Sequence, residues 1–531
     1  ATAEPVTGFG LGRGENPKAH VLGALSSGAA DAAALDPFAE DDGAIPLAGD
    51  PGVGASRPGA KVAAATIGDG PHGSTGDATG DFDFLKITAT AGQVIVAETD
   101  TDALGSALDT VLGLYDATGE LVEVNDDFGI SYDSLLRFEV TVTGSYFLLV
   151  SGFGYGTVFP ADPFASGSGT GTGSEGGYDL TVTASTPDRD LFALDLDGGD
   201  VLGVSVTGAG TRLVVRDQAT REVIGSDQDL SYIYAPTSPL PGGGNAVLAY
   251  VAPRPGRYSL EVIGSPGGYD ATVEVYRPGT ETRPRGTVQT LFLDFDGARV
   301  NTAIWGGPGV RELSPLSTFL GRWGLTAAEE DRLIDAVLAS VRESLVTDLA
   351  RQGDNPAFAV RILNSRDHAD PFGQPNVHRI IVGGSIAESG IPTIGISQFI
   401  DTGNFGTEDS AVVLLDVLSN PTGAASLNTY LTPASNKIKF LGTALGNVIV
   451  HEGGHLYGNF HTDTFNATPN LQDSGGNFPG LFGVGSDLVG GTADDADYDF
   501  GEDVFAPQEG LSGIEDTRNT PAWGLSRGRA R

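Results

Sequence analysis

The strongest constraint on how this chain folds is an internal repeat between residues 80 and 277. Asp81-Phe82-Asp83-Phe84 in the first copy answers Asp188-Arg189-Asp190-Leu191 in the second, and Leu112 to Asp116 answers Leu213 to Asp217. Further on, Gly144-Ser145-Tyr146 answers Gly256-Arg257-Tyr258, and Gly177-Tyr178-Asp179 answers Gly268-Tyr269-Asp270. Each block alternates apolar and polar residues and is closed by Gly or Asp, the period-2 pattern of half-buried antiparallel strands. Short strands at regular spacing predict two all-β units, antiparallel β-sandwiches over 80–185 and 186–277.

The flanking regions differ. Residues 1–79 are rich in Ala, Gly, Asp and Pro with no sustained period, which predicts a linker, pro-segment or extended arm, and a place for self-assembly if a partner pins it. A short linker is expected at 278–285, and 286–531 reads as an α+β unit, making the chain multidomain. Val288 to Asp294 predicts a first strand, and Thr326-Ala327-Ala328-Glu329 is a capping box. Leu333, Val337, Val341 and Leu345 then mark a helix running to about Ala350. Strands are expected at Phe358 to Leu363, His378 to Val382 and Ala411 to Leu415, and Ile514 to Asn519 as a short closing helix.

Within that last unit, His451-Glu452-Gly453-Gly454-His455-Leu456-Tyr457-Gly458-Asn459-Phe460-His461 spells HExxHxxGxxH. On a helix, His451 and His455 share one face and point two imidazoles at one metal. Gly458 lets the backbone leave the helix and deliver His461 as a third ligand. Three His leave a tetrahedral zinc one open position, the arrangement of a catalytic site, and Glu452 is placed to take a proton from the metal's water. His368 and His378 read as loop and strand residues rather than ligands.

The long motif resembles the metzincin zinc metallopeptidases, which implies a mixed sheet backed by two helices, a zinc held by His451, His455 and His461, and Glu452 as general base. That family floors its zinc site with a Met-containing turn. This chain has no Met, and the matching turn, Asn470 to Gly475, places Gln472 where the Met belongs, at a cost in packing and polarity. The repeated sandwiches resemble the bacterial pre-peptidase C-terminal domain, which implies modules that bind polymeric substrate or a cell surface. Tyr498 is a further candidate, as an oxyanion donor or a packing residue.

Calcium is the second expected ion. Asp126, Asp127 and Asp133 in the first repeat, and Asp494, Asp495, Asp497 and Asp499 after the zinc motif, are the candidate ligands, because clustered carboxylates repel unless a hard cation joins them. A solvated acidic loop is the alternative in both places.

Composition narrows the partners. With 69 acidic against 30 basic residues, the net charge of −39 repels nucleic acid and anionic lipid. No apolar run approaches the 18 or more residues of a membrane span. Cysteine is absent, so no disulfide holds the fold. The start Ala1-Thr2-Ala3 suits a processed, secreted chain as well as a trimmed one. Two functions remain: a secreted zinc endopeptidase acting on protein or peptide substrates, or an extracellular structural subunit, of a surface layer or filament, built on a latent peptidase fold.

Overall fold

A computed structural model of the chain describes residues 4–5, 18–25, 33–35, 37, 41–54, 57–126, 131–154, 159–186, 188–277, 284 and 286–527. The molecule is predominantly β, with several sheets and few helices. Among the described residues, no helix is long and apolar enough to cross a membrane.

The first repeat is two sheets. One has the strand order Asp83–Ala89, Gly144–Gly152, Thr110–Asp116, Leu121–Asn125; the other runs Ala33–Leu35, Gly59–Ile67, Gly176–Ser185, Val94–Asp100, Leu135–Glu139. Ile87, Leu112 and Leu148 of one meet Val62, Ile95 and Leu180 of the other in a single buried core. Gly59–Ile67 is thus an interior strand, so the sandwich begins before residue 80 and part of the expected arm belongs to it. Its small residues conceal it in the sequence, because partners supply the bulk: Ala65 pairs directly with Tyr178.

The second repeat departs from the two-sheet expectation. Val201–Arg216 and Gly256–Tyr276 are 16 and 21 residues long and pair along nearly their whole length, so one continuous eight-stranded sheet bends over itself. The bend falls where the register shifts around Gly208 and Gly210, and Gly208 has φ of 77°. Glycine tolerates the positive φ that such a bulge imposes. Lys18–Leu25 adds a further strand against Gly267 to Glu274, so a second piece of the arm is also sheet.

The repeat itself now has a physical reason. Tyr146 and Tyr258 each donate a hydrogen bond to the carbonyl four residues upstream, Val142 at 2.7 Å and Arg254 at 2.9 Å, tying down corresponding corners. Tyr178 donates to Asp83, and Tyr269 to Asp190 at 2.7 Å. The Gly-Tyr-Asp and Asp-x-Asp blocks are the two ends of one tie, made twice.

The C-terminal unit has a five-stranded sheet in the order Val360–Asn364, Gln289–Asp294, Val377–Val382, Ser410–Val413, Gly395–Ser397. The first four strands are parallel and the last is an antiparallel edge. Thr326 and Glu329 form the capping box, and the helix Glu330–Arg342 passes into a π turn, Glu343–Asp348, before Leu349–Gln352. Against it packs the long helix Lys437–Leu456. The two backbones approach closely because Gly442 and Gly446 face Ala336 and Ser340: a Cβ on Gly442 would stand 2.3 Å from that of Ala336. At the tail, Ile514–Asp516 is a strand paired with Glu502–Val504, and the closing helix is Asn519–Gly524, a few residues later than its apolar content suggests. Of the linker expected at 278–285, only residues 284 belongs to the described part.

Candidate metal centre

His451 and His455 stand one turn apart near the end of the helix Lys437–Leu456. The chain then leaves the helix through Gly458, whose φ is 103° and whose absent Cβ leaves 2.6 Å to the Cα of Thr402. A left-handed residue in so tight a place has to be glycine. Three residues on, His461 returns to the site. Its Nε2 is 3.2 Å from Nε2 of His451 and 3.2 Å from that of His455.

The outer nitrogens explain the inward convergence. His451 Nδ1 donates to the Leu471 carbonyl at 2.7 Å, His455 Nδ1 to the Asn459 carbonyl at 2.7 Å, and His461 Nδ1 to Glu509 Oε1 at 2.5 Å. With each proton held outward, three Nε2 lone pairs face one another, a donor set that a cation satisfies. Nitrogens bound tetrahedrally at about 2.0–2.1 Å from zinc stand about 3.3 Å from one another, so the spacing fits the ion. Burial pushes His451 down to about 3 and holds His455 well below the usual imidazole range, the neutral forms a metal requires. On His461, burial acts in the same direction, but the charge and hydrogen bond of Glu509, with Glu452 behind, raise it overall.

Glu452 is 5% exposed. Ser397 Oγ donates to its backbone carbonyl at 2.6 Å and lies 3.1 Å from its Oε2. Gly395, on the same edge strand, makes room for it: a Cβ there would lie 2.3 Å from Oε1. Burial pushes the carboxyl up to about 7, against the Ser397 hydrogen bond and the charge of His461. Glu452 and the three His line a cleft of about 510 Å³ whose walls include Ile394, Ile396, Phe478 and, from the second β unit, Tyr232.

Gln472 lies beneath the site, fully buried, with Nε2 donating to the His451 carbonyl at 2.8 Å and Oε1 without a partner among the described residues. Its amide occupies the space left by Gly454, where a Cβ would be 2.3 Å away.

No family model matches the chain. Over 72 residues, 13% of its length, it is 40% identical to a probable subtilase-type serine protease of Deinococcus radiodurans. The chain spans 10% of the length of that relative. Among solved structures, a periplasmic inhibitor of g-type lysozyme from Aeromonas hydrophila overlaps 29% of this chain and 99% of its own, at 13% identity and a TM-score of 0.16. A putative secreted protein of Eubacterium rectale overlaps 36% of this chain and 69% of its own, at 9% identity and a TM-score of 0.12. Scores this low carry no fold assignment.

The remaining expected site residues are dispersed. Tyr498 packs against Gly480 and the core of the C-terminal unit, and is not among the residues lining the cleft. His378 is buried between Asn404 and the Asp409 amide, and His368 meets the Asn364 carbonyl, so neither faces the metal centre. In the first repeat, both Asp133 oxygens already accept hydrogen bonds, from Thr101 and Ser131, and the Asp126 carbonyl accepts from Ser134. Asp127 lies outside the described residues. Among those described, no metal-sized group of three forms there. Asp494 and Asp495 are taken up in closing their own loop, through Thr492, Ser486 and Gly491, whereas Asp499 turns inward. Sequence reading missed Ser397, Gly395 and Glu509. Glu509 is 48 residues from the histidine it orients, in a short turn without periodicity, so no local signal marks it.

Proposed function

We propose that the chain is a secreted zinc-dependent endopeptidase of the metzincin type, carrying β modules related to the pre-peptidase C-terminal domain. The observation that carries this reading is the convergence of three imidazoles, His451 and His455 buried and His461 partly exposed, each bonded outward through Nδ1, beside a buried carboxylate in a cleft. His451, His455 and His461 would hold zinc, which supplies a Lewis acid and lowers the pKa of water toward neutrality. Glu452, oriented by Ser397, accepts the proton of the attacking water and delivers it to the leaving amine. Gly395–Ser397 is the edge of its sheet and lines the cleft, so its backbone is positioned to pair with an extended peptide. The apolar walls suit substrates with apolar side chains near the scissile bond.

A secreted setting agrees with the acidic, cysteine-free composition and with the 72-residue likeness to a protease. The serine chemistry in that relative's name differs from the zinc chemistry proposed here, and the shared segment is a small part of both proteins. The β modules would bind matrix or cell-surface polymer. A latent structural subunit would instead have its cleft filled by a neighbouring chain or by residues 1–79.

The test is hydrolysis of a quenched casein by the full chain loaded with one equivalent of zinc. Wild type cleaves, a chelator abolishes cleavage, and Glu452→Gln lowers the rate by about 10²–10⁴-fold with zinc content unchanged. Zinc bound at one per chain without any cleavage by wild type would return the chain to the surface-layer or filament reading.

A further inference from the structure

We propose that Glu343, Asp348 and Asp499 form a second metal site, for calcium, which ties the loop after the zinc motif to the helix behind it. Ligand oxygens of the three carboxylates lie within 4.8 Å of one another. Asp348 is 8% exposed, and among the described residues its buried Oδ2 has no hydrogen-bond donor; the same holds for Asp499 Oδ1. Among the described residues, no Lys, Arg or His forms an ion pair with any of the three, and Lys439 is engaged by Asp495 instead. Unpaired carboxylates are costly to bury, and a cluster of them at one point asks for a cation.

The backbone builds this cluster deliberately. Glu343 and Asp348 are the two ends of the π turn, whose i→i+5 bonding brings side chains five residues apart onto one side. A regular α-helix would separate them. Burial first, then a hydrogen bond with Asp348 and the like charges of Asp497, Asp348 and Asp499, push the Glu343 carboxyl up to about 8, and a bound cation would relieve that crowding. All the donors are hard carboxylate oxygens, the set calcium takes together with water, and none is the nitrogen or sulfur that zinc favours.

The site has a consequence for the metal centre. The Asp499 carbonyl accepts the Leu471 amide at 3.2 Å, and the Leu471 carbonyl receives the proton of His451 Nδ1 at 2.7 Å. Fixing Asp499 therefore fixes the carbonyl that orients a zinc ligand. The proposal does not depend on the peptidase reading, since it concerns stability rather than turnover.

Calcium is tested on the full chain, stripped of metal and reloaded with one equivalent of zinc, by thermal unfolding in CaCl₂, MgCl₂ or NaCl of matched ionic strength. Calcium at about 100-fold over its Kd raises the wild-type Tm by about 5–10 °C. In Asp348→Asn and Asp499→Asn the rise is lost. Both variants, relieved of like charge, melt at or above wild type without calcium, which separates loss of the site from misfolding. An equal calcium rise in the variants, no rise in wild type, or variants far less stable than calcium-free wild type would each overturn the site. An equal rise with MgCl₂ would overturn its assignment to calcium.

Discussion

His461 shows how much one side chain depends on a distant one. Its ring is held by Glu509, which keeps the Nδ1 proton outward and raises the basicity of the inward Nε2. Glu509→Ala is expected to weaken zinc binding about 10–100-fold, read by competition with a chromophoric chelator, while leaving the melting of the metal-free chain nearly unchanged. Unchanged zinc affinity would show that the ring is positioned without it. The grouping of the three histidines with Glu452 was legible because the short motif makes their relation local; Glu509, Ser397 and Gly395 were not, because tertiary folding alone brings them together. A second residue, Asp294, sets a pH response away from the site. It ends the strand Gln289–Asp294, 3% exposed, and burial, Asp296 and Asp370 push its carboxyl up to about 8 against the opposing charge of Arg379. A carboxyl raised in the folded state stabilises while protonated, so its contribution is full below about pH 4 and is lost as pH rises through about 8. Asp294→Asn should remove that slope: urea unfolding at pH 5 and pH 8 will show the variant gaining on wild type at the higher pH. Parallel curves would exclude the role.

At the scale of elements, helix propensity and packing give opposite forecasts for Gly442. On an exposed helix, replacing Gly by Ala stabilises by about 1 kcal/mol. Here the added methyl meets Ala336 at 2.3 Å, where the helices Glu330–Arg342 and Lys437–Leu456 are nearly in backbone contact. Overpacking of this kind costs about 1–3 kcal/mol. Gly442→Ala is therefore expected to destabilise, with a lowered urea midpoint and an unchanged slope; a gain would mean the helices can part freely. The same contrast explains which elements the sequence revealed. The helix Glu330–Arg342 was visible through its apolar spacing and capping box, and the strands of the repeat through their alternation. Gly59–Ile67 and Lys18–Leu25 were hidden, because Ala and Gly carry no alternation and their bulk is lent by Tyr178 and Tyr269; a Cβ on Gly23 would fall 2.2 Å from the Tyr269 ring. The bent sheet of the second repeat was equally hidden, since its long strands pass through a bulge that breaks the period.

At the scale of the molecule, the β units attach to the C-terminal unit in different ways. The second β unit shares its core with that unit: Phe460, Phe505, Leu511 and Trp523 belong to the same buried cluster as Leu260 and Val273. Leu511–Ser512 extends its sheet by pairing with Gly225 and Ser226, and the Ile400 amide donates to the Ile233 carbonyl at 3.0 Å beside the cleft. Trp523 is the central contact, its ring stacked on Gly199 with no room for a Cβ and its Nε1 donating to the Pro253 carbonyl at 3.1 Å. The first sandwich instead has its own core; it meets the second unit through Arg137 with Asp227 at 3.0 Å, a largely buried pair, and Arg189 with Glu139 at 2.8 Å, and its strand Leu121–Asn125 lies against the turn Pro507–Glu509. Shared apolar burial couples unfolding, whereas an ion pair adds little net stability, because desolvation offsets the attraction when it is buried and solvent weakens it when it is exposed. Calorimetry of wild type should therefore resolve two transitions, one for the first sandwich and one for the second β unit together with the C-terminal unit. Trp523→Ala removes the central contact at a cost of about 3–5 kcal/mol. It is expected to lower the joint transition and leave the first sandwich where it was. If the joint transition is unmoved, or if all parts of wild type melt as one, the division of the chain into a pair that unfolds together and a separately melting sandwich is wrong.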